Sequence, residues 1–291
     1  MNALNSAMTS FFDVALMPFE WMGNAAALIV WSGIFGVLAL LVFKKISWQR
    51  GIKNAKDKIK AHMIEIRLYQ DDLVVVGSAV AKVLARNFVY LGLNFGPILP
   101  LAIPFMLLTA QFVVRYAYDP LPVTAAETRV MSGRGTLLDI ELSAGADVGG
   151  LEVSLPEGLK AVSPLVRVPS ESRAFQEFVA IAPGEYEIAL ELDGVRETKR
   201  VVAGAQAARS MQPRRVSNRD WLNVSDTNRW PLLWPAEPSF ASDSPFRVVA
   251  IAYPSRDQGW LPDGEGGILI TVALASMLIG ALALKPLGVQ I

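Results

Sequence analysis

Three long apolar runs, separated by two blocks of different periodicity, organise the chain. Residues 25 to 43, 93 to 114 and 267 to 284 contain no Asp, Glu, Lys or Arg. Each is close to the ~17–25 residues that carry a helix across a hydrocarbon core. The pattern predicts transmembrane helices over 25–43, 93–115 and 267–284. After the first run the period changes: Ile52, Ile59 and Ile66 recur every seventh residue, with Ala55 and Met63 near the same face. That is the seam of a short coiled coil. Gln70-Asp71-Asp72 interrupts it, Asp71 or Asp72 is suited to cap a new helix, and Leu73, Val76, Val80, Val83 and Leu84 form a second stripe. Two stripes joined by a tight polar turn predict an antiparallel helical hairpin over 46–92.

The block before the third run reads as short strands at 137–142, 151–155, 165–168, 175–181, 186–192 and 195–202. Glu185 to Leu192 alternate polar and apolar, and Asp193-Gly194 is the positive-φ pair of a type I′ hairpin turn. Strands and turns at this spacing predict an all-β immunoglobulin-like sandwich over 125–204. Residues 205–265 are rich in Pro, Trp, Arg and Asn and end in one more strand at 246–253. Trp221, Trp230 and Trp234 in this segment are candidates for binding a partner or anchoring at a membrane interface, with packing onto the sandwich as the alternative. Asn223-Val224-Ser225 matches a glycosylation sequon, a pattern that also arises by chance. Residues 1–24 place Leu4, Met8, Phe11, Phe12, Leu16, Phe19 and Trp21 partly at helical spacing, with no Lys or Arg before Lys44. This predicts an interfacial amphipathic helix rather than a signal peptide with a basic start.

Charge orients these pieces. The 291 residues hold 27 Lys+Arg and 27 Asp+Glu, but residues 44 to 90 carry ten basic and four acidic side chains, a net +6, and residues 116 to 265 carry fifteen and twenty-one, a net −6. Basic residues next to the spans, Lys44, Lys45, Arg50 and Lys53 above all, mark the cytoplasmic side. The hairpin and the carboxyl terminus after Lys285 are therefore expected in the cytoplasm. The amino terminus and the β-domain are expected outside an inner, cytoplasmic membrane, in the periplasm. Arg115 and Tyr116 are read as the outer interfacial anchor of the second span. Ser32, Gly33 and Gly36 in the first span suit close approach of a neighbouring helix, or a plain lipid-facing anchor.

Chemistry is sparse. With no Cys and one His, thiol nucleophiles, Cys-based zinc sites and multi-His metal clusters are excluded. His62 lies among lysines on the hairpin, where a solvated position is expected. The glycines at 145, 149 and 150 lie between predicted strands and not before a helix, so they do not form a phosphate loop. No enzyme, no cofactor and no DNA partner are expected.

The entry to the second span carries the strongest local signal. Between Asn87 and Phe105 stand Asn94, Gly96, Pro97, Pro100 and Pro104. Each proline lacks an amide donor and crowds the carbonyl four residues back, so a helix break at Gly96 with Pro97 opening a new helix is expected, and Pro100 and Pro104 bend the entry. A span with an outside amino terminus, a basic helical hairpin and a second span opening with an Asn/Pro-rich turn resemble the YidC-type membrane protein insertase superfamily, especially its minimal three-span branch. The resemblance covers about residues 20 to 115 and the last span. It implies a three-helix core holding a polar groove open to the cytoplasm, with Asn87, Asn94, Thr109 and Gln111 as candidates to line it. No catalytic residue is needed, since such a groove lowers the cost of carrying polar groups through lipid. Span one has no counterpart of the Arg that bacterial members commonly place in the groove. A single Gln in a span also serves simply to hydrogen-bond a neighbouring helix, the reading preferred for Gln111.

Two functions follow: insertion or assembly of membrane proteins, or an accessory subunit docking onto a larger membrane complex. The expected partners are membrane lipids, membrane-protein substrates or partner subunits, and the ribosome through the basic hairpin.

Overall fold

The computed structural model describes residues 2–125, 128, 130–204, 210–220 and 226–289. Trp221 and the Asn223-Val224-Ser225 sequon lie outside the described residues. The chain separates into two compact units, residues 1–27 with 107–270, and residues 28–106 with 271–291.

The described residues include six α-helices: α1 (Asn2–Leu16), α2 (Asn24–Ile46), α3 (Gln49–Leu68), α4 (Leu73–Phe95), α5 (Ile98–Tyr116) and α6 (Gly264–Leu287). Three helical stretches, Asn24–Ile46, Leu73–Tyr116 and Gly264–Leu287, are long and apolar enough to cross a membrane. The second counts α4 and α5 together. At ~1.5 Å per residue its 44 residues would run ~66 Å, twice a ~30 Å hydrocarbon core. Lys82 and Arg86 sit in α4, so α5, which has no charged residue before Arg115, is the part suited to lipid.

The helix ends follow from local chemistry. Asp72 caps α4 by accepting hydrogen bonds from the amides of Val74 and Val75, at 3.0 and 3.1 Å. The break between α4 and α5 falls at Gly96-Pro97, where the Gly96 amide still reaches the Gly92 carbonyl at 3.0 Å but Pro97 has no amide to continue the ladder. Pro100 lies in the first turn of α5 and Pro104 inside it. The carbonyls of Leu93, Gly96 and Pro100 therefore lose the amides that a regular helix would give them. α3 and α4 pack along one another across the turn at residues 69 to 72. Lys82 and His62 both meet Glu65 there, at 3.7 and 2.9 Å. The hydrogen bond from His62 holds the Glu65 carboxyl below its ordinary range.

Among the described residues nine strands form two antiparallel sheets: β1 (Thr136–Leu142), β2 (Glu152–Ser154), β3 (Leu159–Ala161), β4 (Val166–Val168), β5 (Arg173–Ala180), β6 (Gly184–Leu192), β7 (Val195–Ala203), β8 (Arg214–Val216) and β9 (Phe246–Ile251). One sheet runs β3-β5-β1-β9-β8, with β4 also paired to β5; the other runs β2-β6-β7. Leu138, Ile140, Phe178, Ile188, Leu190, Val201, Phe246 and Val249, all fully buried, form the shared core of the two sheets. The β6–β7 connection has the conformation the sequence demands. Asp193 has φ 51° and Gly194 φ 76°, between the paired residues Leu192 and Val195. β3 and β8 are additions to the strands legible in sequence. Each has three residues and owes its place to pairing, with β5 and β9 respectively.

Candidate functional site

The unit of residues 28–106 and 271–291 contains a crevice of about 420 Å³. Its floor is set by small residues. A Cβ placed on Gly36 would overlap the Ser276 carbonyl oxygen and lie 2.9 Å from the Ser276 Cα, and one on Gly33 would overlap the side chain of Ile279. Backbone-to-backbone approach of this kind needs glycine, and in an apolar medium it supplies the dispersion contact that holds helices together. Ser276 donates its hydroxyl to the Ser32 carbonyl at 2.9 Å, and Ser32 donates to Leu28 at 2.6 Å. The neighbour admitted by Ser32, Gly33 and Gly36 is thus α6.

Beyond this crossing α2 and α6 leave room between them. Phe35, Leu40 and Phe43 of α2, Leu101 and Phe105 of α5, and Met277 and Leu284 of α6 are among the apolar walls. Phe35 and Phe105 meet at 5.9 Å between ring centroids. Asn94, at the end of α4 just before the proline break, also faces the crevice. It is 8% exposed, and its amide nitrogen donates to the Tyr90 carbonyl at 2.8 Å. Its Oδ1 is buried without a hydrogen-bond partner. A buried amide oxygen left unmade costs ~1–3 kcal/mol, so this acceptor stands ready for a donor that enters the crevice.

Of the four polar candidates from the sequence, Asn94 alone lies on this wall. Asn87 bonds back to Val83 of its own helix at 3.0 Å. Thr109 and Gln111 belong to the other unit, and both are buried there. Gln111 donates to the Thr9 hydroxyl at 3.2 Å and accepts from Arg115. Arg115 in turn pairs with Asp13 at 2.6 Å and donates to the Thr9 carbonyl at 3.1 Å. Here the structure corrects the sequence: Arg115 is 6% exposed, a buried ion-pair partner of α1 and not a snorkelling anchor. Sequence reasoning missed the network because Asp13 is 102 residues away. The lone charged residue of α1 was the signal that could have found it.

α1 is also tied to the Pro/Trp-rich segment. Asn5 donates to the Pro231 carbonyl at 2.9 Å, Thr9 to that of Pro235 at 3.2 Å, and Asn2 accepts from the Ser239 amide at 3.0 Å. Its apolar stripe, Leu4, Phe11 and Val14, is exposed. Trp234 is 4% exposed, donates its indole N–H to the Asn228 carbonyl at 2.7 Å and packs with Val114 and Val216. It packs here, as in the alternative read for it from the sequence. Trp230 precedes the short helical turn Pro231–Leu233 and is half-buried.

Beneath this segment lies the most deeply buried charge among the described residues. Lys199 is fully buried, pairs with Glu237 and donates to the Gln212 carbonyl at 2.8 Å. Gln212 Oε1 accepts from the amides of Ala236 and Glu237 at 2.7 and 3.0 Å. Burial pushes the Lys199 ammonium below its ordinary range, against the opposing pull of Glu237. Arg215 adds a second clamp, with Glu197 at 3.0 Å, the Pro238 carbonyl at 2.7 Å and the Phe240 ring at 4.2 Å.

Among the described residues no group of three or more His, Cys, Asp or Glu could hold a metal ion. No protein-family model matches the chain, and no curated protein matches it either.

Proposed function

We propose that the protein assists the insertion or assembly of membrane proteins, in the manner of YidC-type insertases, by holding an apolar segment of a client in the crevice walled by α2, α5 and α6. The observation that carries this reading is the unpartnered Asn94 Oδ1 on a wall whose one other polar residue, Ser276, is already bonded to Ser32, shortly before the Gly96-Pro97 break. A segment with apolar side chains and one hydrogen-bond donor fits such a wall better than a highly charged one. The role therefore shifts from hydrating a polar tail to lodging an apolar helix until it finds its neighbours. Apolar walls alone give little drive in lipid, where the tails are as apolar as Leu, and close packing with an interhelical hydrogen bond supplies the difference.

In this reading the basic residues after α2 set α3 and α4 as a hairpin in the cytoplasm, placed to meet the ribosome or anionic lipid. The amino terminus and the β-domain, with an immunoglobulin-like arrangement of its sheets, lie outside an inner membrane. A second reading, an accessory subunit of a larger membrane complex, is favoured by the exposed stripe Leu4, Phe11 and Val14 on α1, which a partner would cover.

Reconstituted vesicles decide between them. Purified protein should raise the insertion of a single-span reporter, and Asn94→Leu should lower it while leaving expression and assembly intact. A parent protein that inserts nothing and instead purifies with a stoichiometric membrane complex would favour the accessory reading.

A further inference from the structure

The β-domain carries a second concave region, lined by residues other than those of the crevice. Two adjoining hollows of about 290 and 260 Å³ lie on the outer face of the six-stranded sheet. Each alone falls just below the ~300 Å³ at which ligand sites start. They share three residues: Asp139, Arg214 and Ala250. Strand pairing explains why. Arg214 of β8 and Asp139 of β1 both stand opposite Ala250 of β9. Directly paired residues put their side chains on the same face, so the single methyl of Ala250 lies between a cationic and an anionic side chain.

The charges around this floor are unequally engaged. Arg173 pairs with Asp139 at 2.5 Å, and Arg229 with Glu141 and Asp226, each at 2.9 Å. Among the described residues Arg214 makes no ion pair; its guanidinium lies 5.8 Å from the Trp234 ring, which steadies it from one side. Asp139 engages Arg173 through Oδ2, and its Oδ1 is buried without a hydrogen-bond partner, as is Nε of Arg173. At the far end Tyr118 donates its hydroxyl to Glu265, and burial raises its pKa so that the proton stays in place. A free guanidinium on one side and a free carboxylate oxygen on the other, across a floor one methyl high, ask for a small molecule with an anionic and a cationic end. A simple anion would satisfy Arg214 but leave Asp139 Oδ1 orphaned and repelled.

We infer that this cleft binds a small zwitterion, an α-amino acid or the free ends of a short peptide, with its carboxylate on Arg214 and its ammonium on Asp139 Oδ1. Arg214 supplies the planar fork that matches a carboxylate in two hydrogen bonds. Ala250 sets the ligand's size, because any larger side chain there would fill the floor.

Titration calorimetry on the full-length protein in detergent tests this with alanine, with alanylalanine and with the same dipeptide acetylated and amidated at its ends. Saturable binding of alanine or of alanylalanine is expected, the first marking a free amino acid and the second a peptide end. The blocked dipeptide should bind at least about tenfold more weakly. Arg214→Met should weaken binding by about tenfold or more, and Ala250→Leu should do the same without altering any charge. Ala250→Leu decides if Arg214→Met does not fold. The inference is overturned if neither unblocked ligand binds saturably, if the blocked dipeptide binds equally well, or if the folded variants bind like the parent.

Discussion

Lys199 and Asn94 are both buried polar side chains, one in each unit of the molecule, and their surroundings differ. Lys199 has a carboxylate and two carbonyls around its ammonium, and Glu237 is itself held by neighbours. Asn94 has one partner on its nitrogen and none on its oxygen. At Lys199 the desolvation of a buried charge is offset by a complete set of partners, so this group is a structural clamp. In the helical unit the packing rests on Gly33, Gly36 and Ser276, and Asn94 Oδ1 is left over, as is the Thr271 hydroxyl. The contrast teaches which buried polar groups to read as scaffold and which as a site: engagement decides, not burial.

The strongest way to break this comparison is to remove one side of the Lys199–Glu237 pair. Glu237→Leu leaves the ammonium uncompensated and should cost ~3–5 kcal/mol by denaturant melts of the β-domain signal, whereas Lys199→Met with Glu237→Leu should return most of it. The deficit should depend on pH. Because burial holds Lys199 below its ordinary 10.5, the unfolded chain binds the extra proton below that pH, and stability from this group rises as pH climbs toward 10.5. Loss of Glu237 removes an opposing upward pull, so the variant should show the steeper rise.

Next in size is Gly36→Leu. The clash is with the backbone of Ser276, which cannot swing aside as a side chain can, so a loss of ~3 kcal/mol or more, or failure of α2 and α6 to pack, is expected in thermal melts of the full-length protein. An unchanged melting temperature would mean that the crevice floor is not set by glycine. Gly194→Val tests the β6–β7 turn: at φ 76° a β-branched residue should cost ~1–2 kcal/mol, read as a lower melting temperature of the β-domain signal.

How much of this was legible in the sequence depended on range. Apolar runs, the Asp72 cap, the Gly96-Pro97 break and the Asp193-Gly194 turn are set by residues within a few positions of one another. The runs fixed the middles of the spans but not their ends, since the α2 backbone ladder continues through Lys44-Lys45-Ile46 past the apolar core. β3 and β8 were not readable, because three residues carry no period and their place comes from partners far along the chain. The same holds for the sites. Asn94 could be picked out as polar near a break. That Gln111 would instead turn to Thr9 and Arg115, and that Arg214 would share a floor with Asp139, depended on contacts dozens of residues apart.

The smallest expected loss of stability belongs to Asn94→Leu, which gives up the hydrogen bond to the Tyr90 carbonyl but also removes the orphaned acceptor, so no net loss is expected. That small effect is what makes the crevice testable without damaging the fold. The most direct measurement places a photoreactive phenylalanine analogue on the crevice wall at Leu101 and, as a control, at Leu38, which is 51% exposed on α2 and is not among the residues of that wall. During synthesis of a single-span reporter in the presence of the reconstituted protein, adducts to the reporter's apolar segment should form from Leu101, and Asn94→Leu should diminish them. Adducts equally strong from Leu38, or none to the reporter from either position, would contradict a client-holding crevice.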